Sequence, residues 1–164
     1  RGKEPTNAEV DAIQRDFVEQ MKRYYAEDSA VREIFGARQT FATLRKQGVK
    51  IALNSGFSRE IIDVIVERLG WDKEIDATIA SDEVPRGRPY PDMIRTLMER
   101  FGITDSKRVA KVGDTLVDLE EGTNADCGFV IGVTSGAYTR EQLMSGPHTH
   151  LLSSVAELPA LLLG

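Results

Sequence analysis

Apolar positions along this chain follow two alternating patterns, and each pattern predicts a different element. In longer segments apolar residues recur every three or four positions, which is typical of an amphipathic helix with one buried face. Between these segments lie short, nearly continuous apolar runs, which are typical of strands buried on both faces. The predicted helices span residues 7–26, 37–47, 58–69, 91–101, 116–125, 139–144 and 155–163. The predicted strands span residues 49–53, 77–80, 109–112, 129–133 and 149–152.

The order of these elements predicts the fold class. From residue 49 onward strands and helices alternate, and such alternation is typical of a parallel sheet covered by helices on both faces. We therefore expect an α/β protein, a three-layer Rossmann-like sandwich with a parallel sheet. The helix at residues 7–26 precedes this alternation. Thr6 and Glu9 have capping-box spacing at its start, and its apolar stripe must cover another surface.

Composition and charge narrow the classes of function. At 164 residues the chain is long enough for one domain, and its 41% hydrophobic and 29% charged residues are typical of a soluble globular protein. The net charge of −5, without a basic run, argues against nucleic acid or an anionic membrane surface as partner. No apolar run approaches the ~20 residues of a membrane span. Cys127 is the only cysteine, so no internal disulfide can form, and we expect a cytoplasmic protein.

The first candidate site is the stretch V-A-K-V-G-D-T-L-V-D at residues 109–118. An apolar run ends at Gly113, and Asp114 and Asp118 follow with a spacing of four residues. A strand that ends in Gly-Asp places the aspartate at the carboxyl edge of a parallel sheet, and a helix that begins there keeps both carboxylates on one face. Paired carboxylates at this edge suit Mg²⁺ beside a phosphate. Capping of a helix N-terminus explains the same residues about equally well.

A second candidate site follows the predicted strand at residues 49–53. The stretch N-S-G-F-S contains Ser55 and Gly56, and it leads into a helix. A hydroxyl followed by glycine before a helix N-terminus is a good cradle for an anion, because backbone N–H groups and the helix dipole favour negative charge. The alternative interpretation is a capped helix start with Ser58 as the N-cap residue.

The third candidate is Arg88, which lies in the loop R-G-R-P-Y-P-D at residues 86–92. Pro89 stiffens the loop, so a guanidinium can be held in place with little entropy loss on binding. A fixed arginine suits bidentate recognition of phosphate or carboxylate oxygens. The alternative is a surface arginine in a proline-rich loop, which is the commoner case for such a loop taken alone.

Together and in this order the three loops are far more specific than any one of them. Their clearest extended matches are A-S-D-E-V-P-R-G-R-P-Y-P-D-M and V-G-D-T-L-V-D-L-E-E-G-T-N-A. On these residues the whole chain resembles the haloacid dehalogenase superfamily of phosphohydrolases, and looks most like its phosphonatase-like branch, with Arg88 where most members have lysine. The resemblance implies a haloacid dehalogenase-like α/β core at residues 34–164, without its first strand, and the remnant of a helical cap domain at residues 1–33.

The resemblance also implies a role for each matched residue. Ser55 and Gly56 would bind the transferring phosphoryl group, and Arg88 would neutralise its charge and orient the nucleophile. Asp114 would bind Mg²⁺, with Asp118 binding the metal or supporting it. Ser55, Arg88 and Asp114 would thus be the catalytic residues of a Mg²⁺-dependent hydrolase. Its substrate would be a small phosphorylated metabolite or a phosphonate, with no nucleic acid or membrane as partner.

One part of the family pattern is missing from this chain. Family members carry an Asp nucleophile after the first strand, and this Asp becomes an aspartyl-phosphate. Before Ser55 the sequence has only Asp11, Asp16 and Asp28, which lie in the N-terminal helical region and end no apolar strand. The chain also lacks an initiator methionine. We therefore expect the natural protein to be longer and this chain alone to be inactive or nearly so.

The missing strand has a structural consequence. In the family it lies between the strands that end at Ser55 and Asp114, and buried backbone groups left unpaired cost ~1–3 kcal/mol each. Either these two strands pair with each other, another segment fills the gap, or the missing N-terminal segment complements the chain. Exposed strand groups would also favour a homodimer or the exchange of elements between copies.

Two other classes of function are compatible with parts of the pattern. In the first class, the chain is a module without a nucleophile. Such a module binds phosphate and Mg²⁺, or only a protein partner, through an exposed sheet edge and the N-terminal helix. A receiver domain fits the alternation of strands and helices, but the early acidic pair followed by an Asp at a strand end is absent from the sequence.

Overall fold

The computed structural model describes residues 6–164, and strands and helices alternate along it as predicted. The helices are α1 (Asn7–Glu27), α2 (Ala37–Lys46), α3 (Arg59–Leu69), α4 (Asp92–Phe101), α5 (Leu116–Asn124), α6 (Arg140–Met144) and α7 (Leu158–Leu163). The strands are β1 (Ala52–Ser55), β2 (Ala77–Ala80), β3 (Ala110–Gly113), β4 (Phe129–Val133) and β5 (His150–Leu152).

All strand pairs are parallel, but the sheet is divided into two parts. One part contains β1 and β2, and the other contains β3, β4 and β5 in that order. Within residues 6–164 no backbone ladder joins β1 to β3. Of the three alternatives for the missing strand, direct pairing of these two strands is therefore not what the described residues show.

Helices cover the sheet on both faces. Neighbouring residues of β1 show this directly, because successive strand side chains point to opposite faces. Ala52 packs on a cluster that contains Ile79 and Met93, whereas Leu53 packs on a different cluster that contains Ala37 and Trp71. A third cluster surrounds β4 and α5; its buried members are Ile94, Leu119, Ala125, Cys127, Val130 and Leu143. The predicted three-layer α/β architecture is confirmed.

The long helix α1 lies apart from these cores. It begins with the predicted capping box, in which Thr6 N–H donates to Glu9 Oε2 at 2.7 Å and Glu9 N–H donates to Thr6 Oγ1 at 3.3 Å. The helix packs against α3, yet none of its residues is buried. In its apolar stripe Ile13 is 65% exposed and Phe17 is 52% exposed. Within the described residues the stripe is therefore only partly covered.

Two strands end one or two residues later in the sequence than the apolar runs predict. The expected strands at 49–53 and 109–112 correspond to β1 and β3, which end at Ser55 and Gly113. Backbone pairing sets these limits, since Ser55 pairs with Ala80 and Gly113 pairs with Gly132. Polarity alone therefore places both strand ends too early. Ser55 is the last residue of β1, and Asp114 directly follows β3.

The last helix is shorter than predicted. A 3₁₀ turn at Val155–Glu157 precedes α7, which has Pro159 in its first turn, where the missing N–H of proline costs no helical hydrogen bond. By contrast, the predicted helix ends at Gly70 and Gly102 are both present, with left-handed φ values of 62° and 65°. Among the described residues no helix has the length and apolar character required to span a membrane.

Candidate active site

The loops after β1, β2 and β3 meet at one edge of the sheet. Arg88 Nη1, from the loop after β2, donates to Asp118 Oδ1 at 2.7 Å. Gly56, after β1, passes close to the same guanidinium, because a Cβ atom placed there would lie 2.7 Å from Arg88 Nη2. The carboxyl ends of β1 and β3 thus approach each other through Arg88, and the structure brings the three sequence motifs together.

Ser55 and the start of α3 form the first wall of this edge. Ser55 Oγ accepts a hydrogen bond from Phe57 N–H at 3.1 Å, and the hydroxyl hydrogen is still available to donate. Asp82 caps α3, since the Arg59 N–H donates to its carboxylate at 2.9 Å. Ser58 occupies the N-cap position, but its hydroxyl has no hydrogen-bond partner within residues 6–164. The helix start is therefore capped by a residue that the sequence analysis did not select.

Hydrogen bonds on both sides fix the loop that carries Arg88. Asn124 Nδ2 donates to the carbonyl oxygen of Pro89 at 2.9 Å, which ties the loop to α5. On the other side Arg86 donates two hydrogen bonds to Asp92, at 3.1 and 2.8 Å. Arg88 Nε is buried and has no hydrogen-bond partner among the described residues. The loop therefore holds a guanidinium that has donors left for a ligand.

Both carboxylate oxygens of Asp118 have partners: two cationic side chains contact Oδ1, and a hydroxyl donates to Oδ2. Oδ1 accepts from Arg88 and lies 3.1 Å from Lys111 Nζ, while Oδ2 accepts from Thr115 Oγ1 at 2.6 Å. Burial of the carboxyl opposes ionisation, but the charge of Lys111 and the hydrogen bonds from Thr115 and Arg88 outweigh it and hold the pKa of Asp118 below its usual value. This arrangement suits a supporting role better than that of an open metal ligand.

Asp114 is the carboxylate that remains open. Its Oδ2 accepts from Ala137 N–H at 2.7 Å, and no hydrogen bond to Oδ1 is seen within residues 6–164. In the same residues no three His, Cys, Asp or Glu side chains form a group able to hold a metal. Mg²⁺ commonly uses one or two carboxylates and completes its shell with phosphate oxygens and water. The donor set therefore fits a Mg²⁺ shared with a substrate better than one enclosed by protein ligands.

A buried charged cluster behind the site was missed by the sequence analysis. Lys111 Nζ lies 2.6 Å from Glu121 Oε2 and donates to Asn54 Oδ1 at 2.8 Å. Asn54 Nδ2 also lies 2.8 Å from each oxygen of Glu121, whose side chain is 0% exposed. In the sequence Lys111 lies within an otherwise apolar run. A lysine inside a strand that is buried on both faces needs a buried carboxylate as partner. This rule could have indicated a charged cluster around Lys111 from the sequence.

The loop after β4 was also missed. Its backbone contacts Asp114 through Ala137 N–H and through Tyr138 N–H, which donates to the Asp114 carbonyl oxygen at 3.2 Å. A glycine in a loop at the carboxyl end of a fourth strand was the only local signal for it. None of the predicted site residues lines the surface cavity of about 360 Å³ that is formed by Arg59, Asp63, Val66, Glu67, Asp72 and Thr78.

Together these features define a parallel α/β protein whose strand ends present an arginine and a metal-compatible carboxylate at one edge. Residues 3–126 match the family described as haloacid dehalogenase-like hydrolase, and the chain belongs to this family. The family resemblance and the fold class predicted from the sequence are therefore confirmed, as is the assignment to a hydrolase family.

Curated relatives support the same branch. The chain is 31% identical to the phosphonoacetaldehyde hydrolase of Bacillus cereus (strain B4264), over 88% of this chain and 55% of that protein. It is 35% identical to the phosphonoacetaldehyde hydrolase of Pseudomonas fluorescens (strain Pf0-1), over 82% of this chain and 49% of that protein. The chain thus spans about half the length of the curated relatives that it matches.

Solved structures show the same fold. A phosphonoacetaldehyde hydrolase-like protein from Oleispira antarctica superimposes with a TM-score of 0.82 at 23% identity, covering 99% of this chain and 66% of that one. CbbY from Rhodobacter sphaeroides, solved in complex with phosphate, gives a TM-score of 0.80 at 22% identity, covering 96% of this chain and 69% of that one. These similarities establish the architecture.

Proposed function

We propose that this chain carries the phosphate- and metal-binding part of a Mg²⁺-dependent phosphohydrolase of the haloacid dehalogenase type. Its substrate class is a small phosphate ester or phosphonate, a class supported by the phosphonoacetaldehyde hydrolases among its relatives. The observation that carries the proposal is the contact of Arg88 with Asp118 beside Gly56. This contact leaves a guanidinium at the sheet edge that also bears Asp114.

In this proposal the phosphoryl group binds between the ends of β1 and β3. The Ser55 hydroxyl and the backbone N–H of Gly56 donate to its oxygens. Arg88 neutralises part of its negative charge, and the salt bridge to Asp118 keeps the guanidinium from turning away. The buried Nε of Arg88, which has no hydrogen-bond partner among the described residues, supports this role.

The open oxygen of Asp114 is the proposed protein ligand for Mg²⁺, and Asp118 supports the site through Arg88. When bound, the metal would add positive charge that stabilises the phosphoryl oxygens during transfer. The hydrogen bond from Ala137 to the other Asp114 oxygen supports a ligand of fixed direction.

The proposed reaction also needs an aspartate nucleophile, and no aspartate before β1 has the required position at a strand end. Asp11 and Asp16 lie in α1, and Asp28 follows its end, so none of them is at the end of a strand. We therefore propose that this chain by itself is inactive or nearly so. The proposed activity requires an aspartate at the end of a strand between β1 and β3, supplied by an N-terminal segment; a second copy of this chain in a homodimer would cover open strand edges without supplying that aspartate. The absence of a backbone ladder between β1 and β3 in the described residues supports such a complementation.

The proposed domain division follows the same logic. Residues 1–33 would belong to a helical cap and residues 34–164 to the core, and the lack of any buried residue in α1 supports this division. A cytoplasmic location is part of the proposal and is compatible with the single cysteine.

The second candidate function is a module without a nucleophile. It would bind phosphate and Mg²⁺, or a protein partner, without turnover. Two observations favour it over a complete enzyme: the divided sheet and the exposed apolar stripe of α1.

Hydrolysis of an aryl phosphate with and without Mg²⁺ tests both functions. The chain is compared with Asp114→Ala and with the matched control Glu120→Ala, whose side chain is exposed on α5. We expect no turnover, together with a rise in Tm on addition of Mg²⁺ and inorganic phosphate that is lost only in Asp114→Ala.

Two other outcomes would change the assignment. Turnover that needs both Mg²⁺ and Asp114 would mean that the chain contains its own nucleophile and is a working phosphatase. A Tm that responds equally in all three proteins, or in none, would contradict the metal role of Asp114.

A further inference from the structure

The guanidinium of Arg88 lies against the backbone of Gly56, directly after β1. A Cβ atom placed on Gly56 would have three nearest neighbours, and all three belong to this guanidinium: Nη2 at 2.7 Å, Cζ at 3.6 Å and Nε at 3.8 Å. Nη1 is further from this position, and it donates to Asp118 Oδ1 at 2.7 Å. One edge of the guanidinium therefore faces Gly56, while the nitrogen outside that edge holds Asp118.

This contact leaves no room for a side chain at position 56. Non-bonded carbon atoms are best separated by about 3.5–4.0 Å, so a Cβ atom at 2.7 Å from Nη2 would force the guanidinium to move. Gly56 does not adopt a left-handed φ, and its backbone conformation does not itself require glycine. Glycine is therefore required at this position for the space that Arg88 occupies.

Hydrogen bonds hold the backbone on both sides of the contact. Ser81 Oγ donates to the carbonyl oxygen of Gly56 at 2.8 Å. Asn124 Nδ2 donates to the carbonyl oxygen of Pro89, the residue after Arg88, at 2.9 Å. An added Cβ atom would therefore displace the guanidinium, which is the flexible end of a long side chain, and would leave both backbones in place.

A lysine at position 88 would not collide with the same Cβ atom. The Nζ atom of lysine is as many bonds from Cα as the Cζ atom of arginine, and Cζ of Arg88 lies 3.6 Å from the Cβ position, an ordinary contact distance. The atom that collides is Nη2, which is one bond further from Cα. The need for Gly56 thus arises from the arginine.

We infer that Gly56 is a positioning residue that sets the guanidinium of Arg88 for anion binding, so that a side chain at position 56 is compatible with lysine but not with arginine at position 88. The inference rests on the proposed function, in which Arg88 neutralises the phosphoryl charge. Gly56 lets the guanidinium lie beside the Ser55 hydroxyl while Nη1 stays on Asp118. A cation already in place before the ligand arrives loses less conformational entropy on binding.

The test is a double-mutant cycle in which calorimetric titration measures the affinity for inorganic phosphate. The four proteins are the wild type, Gly56→Ala, Arg88→Lys and the double variant. We expect Gly56→Ala to lower phosphate affinity about tenfold in the wild type but less than about twofold in the presence of Arg88→Lys, because residues in contact are not additive. Alanine keeps the backbone N–H at position 56, so the effect reports on the guanidinium.

The matched control is Gly87→Ala, which adds the same methyl group one residue before Arg88. A Cβ atom at Gly87 would meet the Ser81 Cβ at 3.6 Å, an ordinary contact, so this variant should bind phosphate as the wild type does. Urea denaturation followed by circular dichroism should give Gly56→Ala the midpoint of the wild type. An unfolded or clearly destabilised Gly56→Ala would show that the contact is structural and would overturn the inference.

The remaining outcomes separate this inference from the proposed function. If phosphate binding is lost in Arg88→Ala but is unchanged in Gly56→Ala, the positioning role of Gly56 is overturned and the anion site stands. The same holds if Gly56→Ala lowers the affinity by one factor with and without Arg88→Lys, since the effect then arises in the backbone around position 56. If the wild type and Arg88→Ala bind phosphate equally, or neither binds it, the anion role of Arg88 fails and this inference with it.

Discussion

The two parts of the sheet contribute different chemistry to the candidate site. The part with β1 and β2 supplies neutral donors and the loop that carries Arg88, and all four residues of β1 are only partly buried. The part with β3, β4 and β5 supplies the carboxylates, and four of the five residues of β4 are buried. One part is suited to bind an anion and the other to bind a cation.

These two parts are joined by side chains, because no backbone ladder connects them within residues 6–164. Asn54 of β1 bonds to Lys111 of β3 and Glu121 of α5, and Arg88 bonds to Asp118. A junction made of charged side chains depends on each member, since removal of one leaves a buried charge without its partner. The candidate site and the junction therefore share residues such as Arg88 and Asp118, so a change in either should affect both.

The largest effect on stability is expected from Glu121→Ala. This substitution leaves Lys111 buried without its nearest counter-charge, so the free energy of unfolding should fall by about 3 kcal/mol or more. Urea denaturation followed by circular dichroism measures it. The neighbouring exposed residue gives the control, and Glu120→Ala should change stability by less than about 0.5 kcal/mol. Equal losses in the two variants would mean that Asp118 alone satisfies Lys111.

A somewhat smaller loss is expected from Asn54→Ala, which breaks the junction from the side of β1. The variant removes the bonds that Asn54 makes to Glu121 and Lys111, and hydrogen bonds to charged groups contribute about 1.5–3 kcal/mol. Urea denaturation should show a loss in that range, with Arg88 less firmly held and inorganic phosphate binding weakened. Unchanged phosphate affinity in a destabilised variant would separate the junction from the site.

The dependence of stability on pH should differ between the wild type and Asp118→Asn. The folded-state pKa of Asp118 is below its ordinary value of 3.8, so the unfolded chain binds this proton more readily. The stabilisation from Asp118 is therefore fully present above the unfolded pKa and is lost as pH falls through the folded pKa. Urea midpoints between about pH 2 and pH 6 measure the difference between the two proteins. Parallel curves would contradict an ionised Asp118 in the junction.

The smallest effect is expected far from the junction, at Phe17 in α1. Its side chain is half exposed, so Phe17→Ser should change the free energy of unfolding by less than about 0.5 kcal/mol. The same urea experiment measures this change. A clearly larger loss that depends on protein concentration would show that a second copy covers the stripe in solution, and analytical ultracentrifugation would detect that dimer.

Much of the fold could be predicted because its signals are local. Helices with glycine at their ends, such as Gly70 and Gly102, could be identified from spacing and from the preference of glycine for left-handed backbone. The meeting of Gly56, Arg88 and Asp118 could also be predicted, because parallel strands bring their carboxyl ends to one edge. The chemical roles of these residues stay predictions.

The remainder of the site depends on contacts between distant segments. Lys111 is unremarkable within an apolar run until Glu121 and Asn54 are known to surround it. Gly136 marks a loop after β4 but does not indicate which residue the loop approaches, because the space that requires a glycine there is taken by Asp114 from another strand end. Such residues are selected by tertiary packing and not by the period of the local sequence.

The side-chain junction also has a consequence for the order of folding. Asn54 is 57 positions from Lys111 and 67 positions from Glu121, whereas β3, β4 and β5 follow one another closely along the chain. Closing a long loop costs conformational entropy before its contacts are made, so contacts between distant positions tend to form slowly. We therefore expect each part of the sheet to form by itself and the two to dock late, so that the edge that carries the candidate site is assembled only in the final step of folding.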